Sequence, residues 1–219
     1  PRFTLSSSSA ASDVYKRQAL VQCLALPVLL GMPKLAVEIR EKEGRPISAF
    51  LRLPAFRLAL CSAALGYAVM SFLMTAVPLQ IVNVSLLGEA LNARVIQWHV
   101  IAMFAPSFFT GSLITRFGIR AIMTAGLVLY LAGIIVALSG LQFWYYFATL
   151  FFVGLGWNFL YIAGTSLVTL VTEPEERGRV QGITDMTVFT AVACASLSAG
   201  IIHTIGGWHI MALAALLPI

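Results

Sequence analysis

The chain has few charged residues. Only 11% of its 219 residues are Asp, Glu, Lys or Arg, whereas 59% are hydrophobic and the mean hydropathy is +0.91. A soluble domain needs about 25% charged residues to cover its surface. The composition therefore excludes a water-soluble globular protein and indicates that lipid surrounds most of the chain.

Motifs for catalysis are missing as well. Cys23, Cys61 and Cys194 form no CxxC pair, so they predict neither a disulfide framework nor a zinc site. The sequence lacks HExxH, GxSxG and GxxxxGK[ST], the signatures of a zinc hydrolase, a serine nucleophile and ATP binding. An intramembrane aspartyl enzyme needs two membrane carboxylates, and the predicted spans contain one. We therefore predict that the chain is not an enzyme and holds no metal; an ATP-binding subunit on another chain stays open.

Long runs without charge divide the chain into membrane spans. They cover residues 19–33, 58–88, 95–115, 121–172 and 186–219. One crossing takes about 20 helical residues, so the 52-residue run holds two helices, and the last run turns at the glycines of residues 205–207. We predict an all-α membrane protein with a partial span at each end and five complete helices, at residues 57–82, 96–115, 121–139, 145–171 and 184–203.

The positive charges alternate between connections. Beyond residue 18, ten of the eleven Lys and Arg residues lie in alternate connections, and the others hold only Arg94. The positive-inside rule places the basic connections, including loop 33–56, on the cytoplasmic side. The net charge of +5 thus indicates orientation, and we predict no nucleic-acid partner. Trp98, Trp144 and Trp208 fall at the predicted outer interface, where amphipathic rings prefer to lie.

The ends differ from the rest of the chain. Residues 1–18 are Ser-rich, match no signal peptide and resemble translated adapter sequence, so we set them aside as non-native; a disordered linker is the alternative. Residues 19–32 are assigned to the end of a helix, 33–56 to a loop and 57–219 to a bundle. Because the sequence stops inside an apolar helix, we expect it to be part of a longer protein.

The connection at residues 111–120 carries a motif. Gly111, Arg116, Gly118 and Arg120 stand at the spacing of the G-x-x-x-D-[RK]-x-G-[RK]-[RK] motif of major facilitator superfamily (MFS) transporters. Thr115 replaces the acid, as in the looser second copy of that motif. We expect Gly111 to allow two helices to approach closely, Gly118 to permit a tight turn, and both arginines to reach water at the membrane boundary.

Two further segments strengthen the resemblance. Residues 173–182 resemble the P-x-x-R-G-x-x-x-G stretch between helices 10 and 11 of that superfamily, and residues 154–158 resemble its glycine-rich helix 10. The chain thus resembles a C-terminal half, from the end of helix 6 to the start of helix 12. The resemblance implies that helices 7, 8, 10 and 11 line a central site, and that a missing N-terminal six-helix half is the partner. It further implies alternating-access transport of a small organic solute, by a permease or efflux carrier of a bacterial inner membrane. We expect the present chain to be inactive by itself.

Polar side chains on two predicted spans are candidates for a substrate cavity. They recur at intervals of three or four residues, which places each set on one helix face, and polar groups inside a bilayer tend to face a wet cavity or the bundle interior. The candidates are Asn158, Tyr161, Thr165, Tyr67, Ser71 and Thr75. The alternatives are an interhelical hydrogen bond for Asn158 and hydroxyls bonded to their own helix for the others.

Two titratable residues have alternative roles. Asp185, the acid within a predicted span, is a candidate for ion coupling or a helix cap, and we favour capping or anchoring of the loop. His99 is predicted to be a solvated histidine near the outer surface rather than a proton carrier. We predict no cofactor, and leave coupling to protons or sodium open. The alternative to a transporter is a permease-like sensor or structural membrane subunit without transport.

Overall fold

The computed structural model describes residues 19–20, 23, 25–31 and 44–219. The chain divides into two compact units, Pro1–Glu41 and Lys42–Ile219. In the first unit, helix α1 spans Ala25–Leu30, within the segment predicted to end a helix. The prediction for residues 1–18, and residues 33–43 of the predicted loop 33–56, lie outside the described residues.

The described residues of the second unit form a helical bundle, which confirms the predicted fold class. The helices are α2 (Ile47–Arg52), α3 (Pro54–Leu79, continued by a π-helical turn at Gln80–Val84), α4 (Glu89–Phe104), α5 (Ser107–Phe117), α6 (Ile119–Ser139), α7 (Phe143–Val171) and α8 (Arg177–Ala214). Four stretches, α3 with its π-helical turn, α6, α7 and α8, are long and apolar enough to cross a membrane; α4 and α5 make a fifth if they form one bent span.

The predicted loop before the bundle contains a short helix. Residues 47–52 form α2 because Phe50 is fully buried and its ring lies 5.7 Å from that of Phe56. Helix α3 then begins at Pro54. Proline fits there because backbone N–H groups in the first turn of a helix have no acceptor within the helix, so the missing N–H costs no hydrogen bond. Apolar burial thus extends regular structure into a segment that its charges had assigned to a loop.

The span predicted at residues 96–115 is longer and broken. It begins at Glu89, and α4 meets α5 at a bend of 42° next to Pro106. Proline lacks an N–H and its ring clashes with the preceding turn. The proline therefore explains the break.

The last helix contains the predicted turn. A 38-residue helix would extend about 57 Å at 1.5 Å per residue, well beyond a bilayer core of about 30 Å. Gly207, with φ of 68° and ψ of −173°, interrupts the helix, which confirms the predicted turn at residues 205–207. The helix begins at Arg177, earlier than the predicted residue 184.

Helix α7 packs closely against its neighbours. A Cβ atom added at Gly156 would lie 2.6 Å from Cδ1 of Tyr130 and 2.9 Å from the carbonyl oxygen of Gly126, both on α6. On another side of α7, a Cβ at Gly154 would lie 2.8 Å from the carbonyl oxygen of His99 on α4. Glycine lets these helices approach to distances that a side chain would prevent.

The bundle has a basic end and an opposite end. We call the basic end the one at which α3 and α8 begin and α5 and α7 finish; its described arginines are Arg45, Arg52, Arg57, Arg116, Arg120, Arg177 and Arg179. Here Arg45 holds Glu176, donating from Nη2 to Oε2 at 2.7 Å and from Nε to Oε1 at 3.0 Å. These hydrogen bonds lower the pKa of the Glu176 carboxyl from 4.5 to about 2. The segment before α2 is thereby fastened to the α7–α8 connection.

Candidate functional site

Five aromatic rings from four helical segments meet in the second unit, and we call them the aromatic layer. They are Tyr67 on α3, Phe104 on α4, Trp157 and Tyr161 on α7, and Phe189 on α8. Helix α6 contributes none of these rings. On the helix numbering that the sequence resemblance implies, the contributors correspond to helices 7, 8, 10 and 11, those expected to line a central site.

The rings of the aromatic layer are in direct contact. Trp157 stacks on Tyr161 with centroids 5.1 Å apart and planes 9° from parallel. Tyr67 meets both rings edge-on, at 5.1 and 5.5 Å. Phe104 and Phe189 form the margins and are each 57% exposed, whereas Trp157 is 5% exposed. The layer therefore has a buried centre and accessible edges.

The layer lies near the middle of the bundle. Tyr67 is about 20 Å from the start of α3, Phe189 about 18 Å from the start of α8, and Trp157 about 21 Å from the end of α7, at 1.5 Å per helical residue. A bilayer core is about 30 Å thick. The three residues thus share one depth, far from both surfaces.

Polar groups flank the layer on both sides. One turn beyond Tyr67, the hydroxyl oxygens of Ser71 and Ser196 lie 2.7 Å apart and bridge α3 to α8. One turn before Phe189, the Asp185 carboxylate accepts a hydrogen bond of 2.8 Å from Gln181. Aromatic rings can stack on other rings, and hydroxyls both donate and accept hydrogen bonds.

Asn158 lies apart from this layer. It is fully buried, and its Nδ2 donates to the Met103 carbonyl oxygen and to Ser107 Oγ, both at 2.6 Å. Its Oδ1 accepts from Thr110 Oγ1, also at 2.6 Å. These are the interhelical hydrogen bonds named as the alternative in the sequence analysis, and they join α7 to α4 and α5 beside the Pro106 break. A substrate contact by Asn158 stays a prediction.

The other predicted cavity residues divide into two groups. Tyr67 and Tyr161 belong to the aromatic layer, and Ser71 belongs to the serine pair beside it. Thr75 donates to the Ser71 carbonyl oxygen and Thr165 to that of Tyr161, each at 2.8 Å within its own helix. Both hydroxyls therefore bond to their own helix, which is the alternative stated for them above. The predicted role of the two threonines in a cavity is untested.

The prediction of a helix cap at Asp185 is wrong. Helix α8 begins at Arg177 and its N-cap is Glu176, so Asp185 lies about two turns inside the helix, where the backbone amides are already paired. The error arose because the charges of Arg177 and Arg179 had assigned that turn to a loop. The coupling role of Asp185 stays a prediction.

The prediction of a solvated His99 is also wrong. Its side chain is fully buried and donates from Nδ1 to the Leu150 carbonyl oxygen at 2.6 Å, joining α4 to α7. Depth along the helix suggested the surface, but the imidazole turns inward toward α7. The other ring nitrogen, Nε2, has no hydrogen-bond partner within the described part of the chain.

The motif at residues 111–120 is partly as expected. Gly118 has φ of 85° and forms the turn between α5 and α6, and Arg116 and Arg120 are exposed at the basic end. Gly111 differs: a Cβ atom added there would meet no heavy atom within 4 Å. Among the described residues, no helix approaches closely at Gly111.

A polar cluster at the opposite end joins three helices. Gln80 in the π-helical turn accepts from His203 Nε2 at 2.9 Å, and Ser85 and Tyr146 share a hydrogen bond of 2.9 Å beside it. Trp208 lies at this end too, but its ring is buried and donates from Nε1 to the Ala137 carbonyl oxygen at 2.7 Å. Trp98 and Trp144 are 46% and 69% exposed, as interfacial rings would be.

Part of the site was not predicted from the sequence. Trp157, Phe104 and Phe189 were not proposed because the prediction rested on polar residues, and Ser196, although polar, was not proposed either. A signal was present: Trp157 and Tyr161 are four residues apart, as are Asp185 and Phe189, and such pairs lie side by side on a helix. No group of three or more His, Cys, Asp or Glu residues among the described ones could hold a metal ion.

Apolar spans in a helical bundle, with aromatic and polar groups gathered at mid-depth, define a multi-pass membrane protein. The family profile of the Major Facilitator Superfamily matches residues 58–219. The chain belongs to the Major Facilitator Superfamily.

Three relatives agree with this assignment. The riboflavin transporter RfnT of Brucella anthropi is 44% identical over 198 residues, which cover 88% of this chain and 49% of the relative. Two uncharacterized MFS-type transporters of Bacillus subtilis have lower sequence identity. YdeG is 36% identical over 49% of this chain and 26% of its own length. YddS is 29% identical over 68% of this chain and 34% of its own length. The chain spans about half or less of the length of these relatives.

Proposed function

We propose that this chain forms the C-terminal half of a secondary transporter that carries riboflavin or a related flat, hydroxylated heterocycle by alternating access. The aromatic layer carries the proposal, because it offers ring surface at mid-depth on the four helices expected to face the other half. The 44% identity with a riboflavin transporter supports the same solute class. Riboflavin combines a planar three-ring system with a polyhydroxyl chain, which matches the rings and the Ser71–Ser196 pair.

The expected energetics are consistent with a transported solute. Each aromatic pair contributes about 0.5–1.5 kcal/mol beyond the area it buries, so contacts with two or three rings give about 1–4.5 kcal/mol. That is enough to select a flat ring system, yet weak enough for release. Under this proposal Asp185 is the candidate for coupling to protons or sodium, and the basic end faces the cytoplasm of a bacterial inner membrane.

A chimera tests the proposal. Residues 19–219 replace the matching C-terminal stretch of the Brucella anthropi transporter, and the chimera is expressed in a bacterium that can neither make nor import riboflavin. We expect growth on low riboflavin and uptake of labelled riboflavin. Trp157→Ala should weaken the apparent affinity about tenfold, since about 1.4 kcal/mol of ring contact corresponds to that factor.

The control is Trp144→Ala, which removes a tryptophan that is 69% exposed and lies outside the aromatic layer. Membrane levels of each variant are measured so that uptake is compared per molecule. A chimera that inserts correctly but takes up no riboflavin would show that the solute class is wrong. Riboflavin binding without uptake would favour the sensor alternative.

A further inference from the structure

We infer that Trp157 is a specificity-determining residue, whose indole N–H donates a hydrogen bond to an acceptor atom in the plane of the solute's ring system. This inference rests on the proposed function and deepens it. It goes beyond stacking, which any aromatic side chain at position 157 would provide. The observation behind it is a buried donor at the centre of the aromatic layer that has no hydrogen-bond partner among the described residues.

The indole nitrogen of Trp157 is buried and has no hydrogen-bond partner within the described part of the chain. Its surroundings are ring surfaces: Tyr161 stacked at 5.1 Å, with Tyr67 at 5.1 Å and Phe104 at 5.8 Å edge-on. Buried tryptophan N–H groups normally find a partner. An unpaired one therefore needs an explanation.

Another buried tryptophan of the same unit provides an internal comparison. Trp208 is 4% exposed, about as buried as Trp157, and its Nε1 donates to the Ala137 carbonyl oxygen at 2.7 Å. The fold thus satisfies an indole donor where the tryptophan is structural. At position 157 a phenylalanine would pack among the same rings without leaving a donor unpaired.

The solute is the partner that fits this position. Trp157 touches Phe104, one accessible margin of the layer, and Tyr67 joins it to the other margin, Phe189; a flat molecule can approach from these margins. A planar heterocycle lying against these rings presents unprotonated ring nitrogens and carbonyl oxygens at its edge, and these atoms accept hydrogen bonds. Side-chain rotation of the kind common on binding brings the N–H to such an atom. The site would then prefer a heterocycle with that acceptor over an isosteric ring without it.

The test pairs one substitution with a series of solutes. Trp157→Phe in the chimera keeps an aromatic ring and removes the donor, and Trp144→Phe is the matched control. Riboflavin is compared with 1-deazariboflavin, 5-deazariboflavin and the 2-thio and 4-thio analogues, each with one ring acceptor removed or weakened. Competition against uptake of labelled riboflavin gives the relative affinity of every analogue.

In the parent chimera we expect one analogue to bind about tenfold more weakly than riboflavin, the loss typical of a neutral hydrogen bond left unmade in a buried site. The Trp157→Phe chimera should bind riboflavin and this analogue equally well. Once the donor is absent, removing the acceptor has no further effect, which is the logic of a double-mutant cycle. Riboflavin itself should bind about tenfold more weakly to Trp157→Phe, whereas the discriminated analogue should bind equally well to both proteins.

Two results would overturn the inference while leaving the proposed function intact. Equal weakening of every solute by Trp157→Phe would indicate that the indole N–H serves another part of the protein. Unchanged affinity for every solute would show that the donor is not used. If the parent chimera inserts but takes up and binds no flavin, the proposed function fails and the inference fails with it.

Discussion

Replacing Asn158 with alanine tests whether this residue holds helices together or binds the solute. The substitution removes three hydrogen bonds of 2.6 Å, to Met103, Ser107 and Thr110. Met103 lies on α4, before the Pro106 break, and Ser107 and Thr110 lie on α5, after it. Backbone groups freed by a break inside a membrane must be paired by neighbouring helices, and the Asn158 amide does so for the Met103 carbonyl.

The magnitude follows from the number of bonds. Interhelical hydrogen bonds in membrane proteins contribute about 0.6 kcal/mol on average and up to about 1.7 kcal/mol. Three such bonds predict that Asn158→Ala lowers the free energy of unfolding by about 2–5 kcal/mol. Thr165→Ala is the matched control on the same helix. Its hydroxyl bonds to carbonyl oxygens of its own helix, so we expect a change below about 0.5 kcal/mol.

The assay is SDS-induced unfolding of the purified chimera, followed by circular dichroism, together with riboflavin uptake per inserted molecule. We expect Asn158→Ala to lose stability and to keep the parent affinity for riboflavin in the fraction that remains folded. The double variant Asn158→Ala with Thr110→Val should lose less unfolding free energy than the two single variants lose together. The reason is that the two residues share one hydrogen bond. A stable Asn158→Ala variant that no longer binds riboflavin would refute the structural role and favour substrate contact.

Three further predictions concern the turns and connections. Gly118→Ala should cost about 1–3 kcal/mol of unfolding free energy, because φ of 85° with ψ of 154° is open almost only to glycine. Gly156→Ala should cost about 1–3 kcal/mol through overpacking, since its Cβ would lie 2.6 Å from a ring carbon of α6. The control for both is Gly111→Ala, which meets open space and should be neutral or stabilising by up to about 1 kcal/mol; thermal unfolding checks all three. Because Arg45 lowers the pKa of Glu176 from 4.5 to about 2, the stabilisation from ionised Glu176 is complete above pH 4.5 and is lost as the pH falls through 2. Thermal unfolding from pH 7 to pH 2 should therefore show Glu176→Gln less stable than the parent at neutral pH, with the difference shrinking toward pH 2; a constant difference would contradict the ionic contribution.

Sequence alone was sufficient to predict the membrane class and the approximate spans. The spans of a helical membrane protein are long apolar helices with charged residues at their ends. Charge-free runs therefore located α3, α6 and α7 within a few residues. The glycines at residues 205–207 located the break in α8. Boundaries were less accurate where charged or proline residues joined a helix, as at Glu89, Pro106 and Arg177.

The candidate site depended on tertiary structure. Helical periodicity assigned Asn158 and Tyr161 to one face of α7, but it could not tell which neighbouring helix each part of that face meets. Only packing decided that Asn158 pairs with α4 and α5, whereas Tyr161 joins Tyr67 and Trp157. A residue's depth follows from its position along a helix and can be counted in the sequence. Its neighbours depend on how the helices rotate and pack together, which is why the inward turn of His99 and the surroundings of the Trp157 indole emerged only in the folded bundle.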